Sequence, residues 1–373
     1  MTAPLSAPPS DAPRRTELAP ADFELAARAA KKRMLIIVNP YASTVSDNLR
    51  QLVVHALQGR FDVDAVDTEA RGHATEICRE AAHEGYDVVV AFGGDGTVNE
   101  AANGLLGSTT PLCCLPGGSA NVFGKMLGIP GELVDATEHL LGLADDWRPR
   151  KVDLGVVNGR CFTFASGLGL DASVVQRVDS NPHLKARLGP WYFTWVAVGT
   201  FLRRYLVRPP RLQTELGVGA STAAKRLRPW NRSPLAVRRR SEIRGNAELA
   251  DLYPSPIELV GVTAIVQNGS PFTYFKDRPI EIAEDAELQS GTLSGCVLHR
   301  ARPLDMPSIA WRAFSRRARV SRHRQISSFH GADELVVRSA DGKPLPLQVD
   351  GDYLGEVHEA RYSILPQALN VVA

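Results

Sequence analysis

Two glycine-rich turns, each directly after a short apolar run, constrain this chain more than any other feature. From Met34 onward, runs of strand length alternate with stretches of helical spacing: MLIIVN (34–39), then Val45, Leu49, Leu52, Val53, Ala56 and Leu57; FDVDAV (61–66), then HATEICREAAH (73–83); DVVVAF (87–92), then a third helix and PLCCL (111–115). Strands alternating with helices predict a parallel sheet covered on both faces. Such sheets bind ligands beyond the C-terminal ends of their strands, and GGDGT (93–97) and PGGSAN (116–121) both fall there.

In the first turn, Gly93, Gly94 and Gly96 permit a sharp change of direction, tolerate positive φ and let backbone N–H groups approach a phosphate. Thr97, with Glu100 three residues on, has the spacing of a capping box, which aims the positive end of the next helix at the loop. Asp95 is the odd member. A carboxylate repels phosphate unless a divalent cation lies between them or the aspartate handles a proton; the alternative is a turn aspartate bonded to its own backbone. In the second turn, Gly117 and Gly118 repeat the pattern, and Ser119 or Asn121 is placed to cap a helix through Met126. Neither turn is a Walker P-loop, because five rather than four residues separate Gly118 from Gly124 and Met126 stands where Ser or Thr is required. GLGLDA, from Gly167, lacks the third glycine of a dinucleotide fingerprint.

Beyond residue 148 the apolar runs shorten, as in CFTFAS (161–166), IELVGVTAIVQN (257–268) and LPLQVD (345–350), which predicts a mostly β domain. The expected organisation is a disordered tail over 1–30, an α/β domain over 31–147, a β-rich domain over 148–365, and a C-terminal tail, 366–373, able to return to the first domain. The stretch 221–244 carries eight Lys or Arg against one Glu and reads as a solvated insertion. A balance of 43 basic and 41 acidic residues argues against a nucleic-acid partner. The five cysteines lack zinc or disulfide spacing and read as buried thiols. The N-terminus has no apolar core of a secretory signal, and WYFTWVAVGTFL (191–202) falls short of the roughly 20 residues that span a bilayer, so a cytoplasmic protein is expected.

VNPYAS, GGDGTVNE, LPGGSANVFGK, KVDLG and VDGDYLGE follow one another in the order that marks the diacylglycerol kinase catalytic family, which includes bacterial lipid kinases and sphingosine kinases, and the resemblance covers residues 33 to 365. GGDGT alone is shared with NAD kinases; the LPGGSANVFG loop favours the lipid branch. The resemblance implies an α/β N-terminal domain with a parallel sheet, of the NAD kinase and diacylglycerol kinase type, plus a mostly β-sandwich C-terminal domain, with ATP and Mg2+ in the cleft between them. It implies that Asn39, Thr68, Gly93 to Thr97, Gly118, Ser119 and Asn121 shape the nucleotide pocket, that Asp95 serves Mg–ATP or acts as base, and that Asp153 belongs to the polar network behind it.

In VDGDYLG, Asp350 and Asp352 are an i, i+2 pair, which on a strand share a face; their repulsion would help one accept a proton. A hairpin turn is the alternative. The resemblance assigns the general base here, although the family usually has Asp-Gly-Glu and this chain has the shorter Asp352. Two further departures are Val122, where many bacterial relatives have Asp, and Gln289, Ser290 and Gly291, where some hold a structural magnesium; that second site is not expected. The resulting expectation is a lipid kinase converting diacylglycerol to phosphatidate, peripherally associated with an anionic membrane surface through the arginine-rich run 299–324. A soluble kinase of the NAD kinase class and a non-catalytic lipid-binding relative are the rivals, and a homodimer is left open. CFTFASGLGLDASVV (161–175), the aromatics from Trp191 to Phe201, and Pro271, Phe272, Tyr274 and Phe275 read either as an apolar channel or as core.

Overall fold

A computed structural model of the chain describes residues 31–42, 45–180, 190–205, 209–217, 221–222, 257–275, 278–315 and 317–373. The tail expected over 1–30, most of the basic insertion, and Arg316 lie outside the described residues. Four parallel strands come first: β1 (Arg33–Val38), β2 (Asp62–Asp67), β3 (Val88–Gly93) and β4 (Leu112–Pro116), in the order β2-β1-β3-β4. β3 and β4 are buried along their whole length, as unbroken apolar runs require, whereas β2 is an edge strand whose DVDAVD alternates between exposed and partly buried positions. Between them run α1 (Asp47–Gln58), whose Ser46 cap accepts from the Leu49 N–H, α2 (His73–Glu84) and α3 (Asp95–Gly104), followed by α4 (Val122–Leu127) and α5 (Leu133–Leu143).

The rest of the chain adds β5 (Arg150–Val157), β6 (Arg160–Phe162), β7 (Ala165–Gly169), α6 (Leu170–Asp179) and α7 (Pro190–Thr200), which runs on into a π-helical turn at Phe201–Tyr205. Then come β8 (Leu212–Leu216), β9 (Ser221–Thr222), β10 (Ile257–Gly261), β11 (Thr263–Gln267), β12 (Thr273–Phe275), β13 (Arg278–Ile280), β14 (Leu293–Leu298) and α8 (Met306–Ala313). The final strands are β15 (Ile326–Ala332), β16 (Glu334–Ser339), β17 (Leu345–Val349), β18 (Asp352–Val357) and β19 (Glu359–Val371). The first sheet continues from β4 through β19 to β16, β8 and β10, while β18-β17-β7-β11-β14-β15-β9 form a second, antiparallel sheet. Leu212, Leu335, Val337 and Tyr362 from the first sheet meet Leu168, Val266, Val297 and Leu347 from the second in one buried core. The second half is therefore a sandwich of largely antiparallel sheets beside an α/β half with a parallel sheet.

β19 joins the halves. Its last residue pairs in parallel with Leu112 of β4, and Val372 donates to the Leu112 carbonyl. Ser221 and Thr222, read from sequence as the start of a solvated insertion, are a short strand paired with His330 and Phe329. All five cysteines are buried and unpaired, and burial pushes the Cys78, Cys113 and Cys296 thiols up to about 12. Phe162, Phe164 and Leu168 are core residues, so the channel alternative fails for them. Among the described residues no helix is long and apolar enough to cross a membrane.

Candidate active site

The two glycine turns pack backbone to backbone. The Gly117 N–H donates to the Gly93 carbonyl at 2.9 Å, and a Cβ on Gly118 would lie 2.6 Å from Gly94 Cα. No side chain fits between the strands there. This corrects the expectation from sequence: Gly93, Gly94, Gly96, Gly117 and Gly118 are not among the positive-φ glycines; the missing side chains of Gly94, Gly117 and Gly118 serve the contact between loops, and that of Gly93 leaves room for Thr97. In the second turn it is Asn121 that adopts positive φ, at 49°, while its amide donates to and accepts from Gly118 and the Ser119 tip stays exposed.

α3 starts one residue after Gly94, which takes the N-cap position, so Asp95 is already in the first turn. The capping box does not form. Thr97 Oγ1 accepts from Asn39 Nδ2 at 3.1 Å, and Glu100 reaches across to the Gly72 N–H. Asn39 and Thr97 are thus brought together. Thr68 is buried, its N–H bonded to the Val38 carbonyl at the end of β1.

From the other half, the hairpin between β17 and β18 reaches the same helix. Asp350 and Gly351 have φ of 48° and 85°, and Val349 pairs with Asp352 across them, the two-residue turn that Asp-Gly favours. The two carboxylates therefore do not share a strand face; this is the second correction. Asp350 turns inward and accepts five hydrogen bonds, from Asn99 Nδ2, the Thr163 N–H, Thr163 Oγ1, and the Phe164 and Ala165 N–H groups, at 2.7–3.0 Å. Burial pushes its carboxyl above the ordinary range and the N–H donors pull it back; with donors on both oxygens, this cage satisfies the anion. Asp352 instead remains partly exposed at the first turn of α3, where its Oδ2 lies 2.7 Å from the position a Gly96 Cβ would occupy. Glycine at 96 is what lets that carboxylate approach.

Three aspartates thus converge on α3. Burial raises Asp95 to about 7; the Phe123 and Val122 N–H groups oppose the rise, and the charges of Asp350 and Asp352 add to it. An unfolded aspartate titrates near 4, so ionising Asp95 costs the folded state progressively as pH rises from about 4 through 7. Asp95→Asn should accordingly match the wild type near pH 4 and exceed it above pH 7 by on the order of 1–3 kcal/mol in urea unfolding of the unliganded protein. A stability difference independent of pH would contradict the raised carboxyl.

A cation would offset this accumulation of negative charge. Among the described residues no group of three or more His, Cys, Asp or Glu could hold a metal by itself. Magnesium is commonly held by one or two carboxylates together with substrate phosphates, and Asp95, in the turn between strand and helix, fits that arrangement.

Asp153 does not join this cluster. Its carboxylate accepts from the Gly291 and Gln367 N–H groups, tying β5 to the 287–291 turn and to the irregular point of β19. It reaches the site only indirectly, because Asn268 donates both to the Asp153 carbonyl and to the Thr163 carbonyl, next to the Asp350 cage. Asn99 was missed from sequence, though it lies one helical turn after Asp95 within GGDGTVNE and so faces the same side.

Residues 33–157 match the family model described as the diacylglycerol kinase catalytic domain. Over those residues the chain is similar to the diacylglycerol kinase catalytic-domain family. Diacylglycerol kinases of Staphylococcus aureus strains JH9 and Newman are each 32% identical to the chain over 167 residues, 44% of this chain and 51% of theirs. The match therefore spans about half the length of these curated relatives. A crystal structure of a diacylglycerol kinase from Bacillus anthracis str. Sterne superposes with a TM-score of 0.60 at 19% identity, covering 91% of this chain and 96% of that one, which shows a shared fold over both halves. The family match includes Asn39, Asp95 and the Ser119 turn and stops before the Asp350–Gly351–Asp352 hairpin.

Proposed function

We propose that the chain is an ATP- and Mg2+-dependent lipid kinase that converts diacylglycerol to phosphatidate. The observation that carries the reading is the approach of Asp352, from the second sheet, to Gly96 of the GGDGT turn, in the first turn of α3. A base on one half and a nucleotide loop on the other are thereby within one site. When bound, Mg–ATP supplies the phosphoryl group. The Asn39–Thr97 pair, Thr68, and the turns at Gly93–Thr97 and Gly118–Asn121 line the nucleotide side, and Asp95 is placed to hold the metal. Asp352 accepts the proton of the lipid hydroxyl as its oxygen attacks. Asp350, anchored by five donors, fixes the turn and keeps a second negative charge nearby that favours proton uptake. ATP turnover measured with diacylglycerol vesicles and with NAD tests the reading: the lipid should stimulate turnover, and stimulation by NAD alone would overturn it.

A lipid acceptor has to be drawn from a bilayer. α8 presents Trp311 62% exposed, with Leu304 91% exposed just before the helix, inside a run of arginines. Phe314, three residues on, packs edge-on against Phe275 at 5.8 Å. Arg324 is paired with Asp305 and Arg319 reaches Asp285, which offsets part of their charge while both side chains stay exposed. Each remaining Lys or Arg near an anionic surface contributes about 1 kcal/mol of attraction, screened by salt. Trp311→Ala should weaken cosedimentation with anionic vesicles severalfold, and raising salt should weaken it further. Equal, salt-insensitive binding to neutral and anionic vesicles would contradict this peripheral docking.

A further inference from the structure

The turn that presents Asp352 is held from outside by α6. Gln176 Nε2 on that helix donates to the Tyr353 hydroxyl at 3.1 Å. A second link is more specific. Asp171, in the first turn of α6, accepts from Gln348 Nε2 at 2.6 Å, and the other end of the same amide, Gln348 Oε1, accepts from the Gly351 N–H at 2.9 Å. Gly351 is the residue between Asp350 and Asp352. The Gln348 carbonyl also accepts from Ser166 Oγ at 2.7 Å, so the residue is fixed at its main chain and at both ends of its side chain. Space for the link exists only because residue 167 is glycine: a Cβ there would lie 2.2 Å from Asp171 Oδ2 and 3.0 Å from Gln348 Nε2.

An amide has one donating and one accepting end, and the Gly351 N–H needs the accepting one. A carboxylate at Asp171 can only accept, which compels the NH2 of Gln348 to face it and the carbonyl to face Gly351. We propose that Asp171 is a positioning residue, which orients the Gln348 amide and through it locks the Asp350–Gly351–Asp352 turn that aims Asp352 at α3. Burial raises Asp171 to about 6, with the Gln348 hydrogen bond opposing the rise, so at neutral pH it is the acceptor this arrangement needs. The catalytic consequence rests on the reading of Asp352 as the base; the mechanical link does not.

Three variants of the full chain test the link. Gln348→Met keeps the length and removes both hydrogen bonds. Gln348→Glu sets a second carboxylate against Asp171. Adding Asp171→Asn to Gln348→Glu restores a donor–acceptor pair with the roles exchanged, while the new carboxylate still accepts from Gly351. Amide hydrogen exchange at Gly351 should quicken by about tenfold or more in both single variants and return to within about threefold of wild type in the double. With diacylglycerol vesicles, kcat should fall about tenfold in the singles at unchanged KM for ATP and recover in the double. Unchanged exchange at Gly351 in Gln348→Met, or a double variant as impaired as Gln348→Glu, would overturn the proposal. If the wild type phosphorylates no lipid, the functional reading fails, and the exchange measurements still decide whether Asp171 holds the turn.

Discussion

Asp352→Asn should remove phosphoryl transfer while leaving nucleotide binding and stability intact. The amide keeps the shape of the side chain but cannot take a proton from a hydroxyl, and general-base catalysis is worth about 10²–10⁴-fold. A loss of at least 10²-fold in kcat is therefore expected, on the order set by that range. Nucleotide affinity, measured by titration calorimetry, should stay within about threefold, since the residues lining the nucleotide side belong to other turns. The side chain is partly exposed, whereas that of its neighbour Asp350 is buried. Near-normal kcat in this variant would move the base role to Asp95, whose carboxyl lies close to neutral pH.

Two residues away, the identical substitution should act first on stability. Asp350→Asn preserves size and a left-handed backbone that asparagine tolerates, but it turns an NH2 toward a cage made only of donors. At least one backbone N–H among Thr163, Phe164 and Ala165 then loses its acceptor inside the protein. Removing one partner of a buried, charged hydrogen-bond network costs about 2–4 kcal/mol, and urea unfolding should show a loss of that size. Activity should fall as well, through the displaced turn. Unaltered stability would mean that the Asp350 carboxyl is neutral in the folded protein and that its cage is not the anchor described above.

The contrast between these aspartates shows where the sequence was legible. Strands β1, β3 and β4 are readable because burial on both faces makes them continuous apolar runs, and the Asp-Gly pair is a readable hairpin signal. The same-face argument for Asp350 and Asp352 failed because it applied strand periodicity across a turn. The glycines of GGDGT and PGGSAN were noticed for conformational freedom, whereas the missing side chains of Gly94, Gly117 and Gly118 serve the contact between the two loops, which local sequence does not contain. Thr97 looked like a cap because its spacing to Glu100 is right; Asn39, 58 positions earlier, takes its hydroxyl instead. The partners of Asp350 and Asp171 are harder still, since Asn99 lies 251 positions from the first and Gln348 lies 177 from the second. Polar residues that anchor a site from distant strands carry no periodic signal, and only the folded sheets bring them together.

Product analysis tests the central claim most directly: that a nucleotide turn from the α/β half and a base from the β-sandwich form one site for lipid phosphorylation. Diacylglycerol in anionic vesicles, incubated with the protein and ATP labelled at the γ-phosphate, should yield labelled phosphatidate, with little label released as inorganic phosphate and transfer reduced at least about 10²-fold when Asp352→Asn replaces the wild type. Label appearing only as inorganic phosphate, or equal labelling of the lipid by Asp352→Asn, would contradict it.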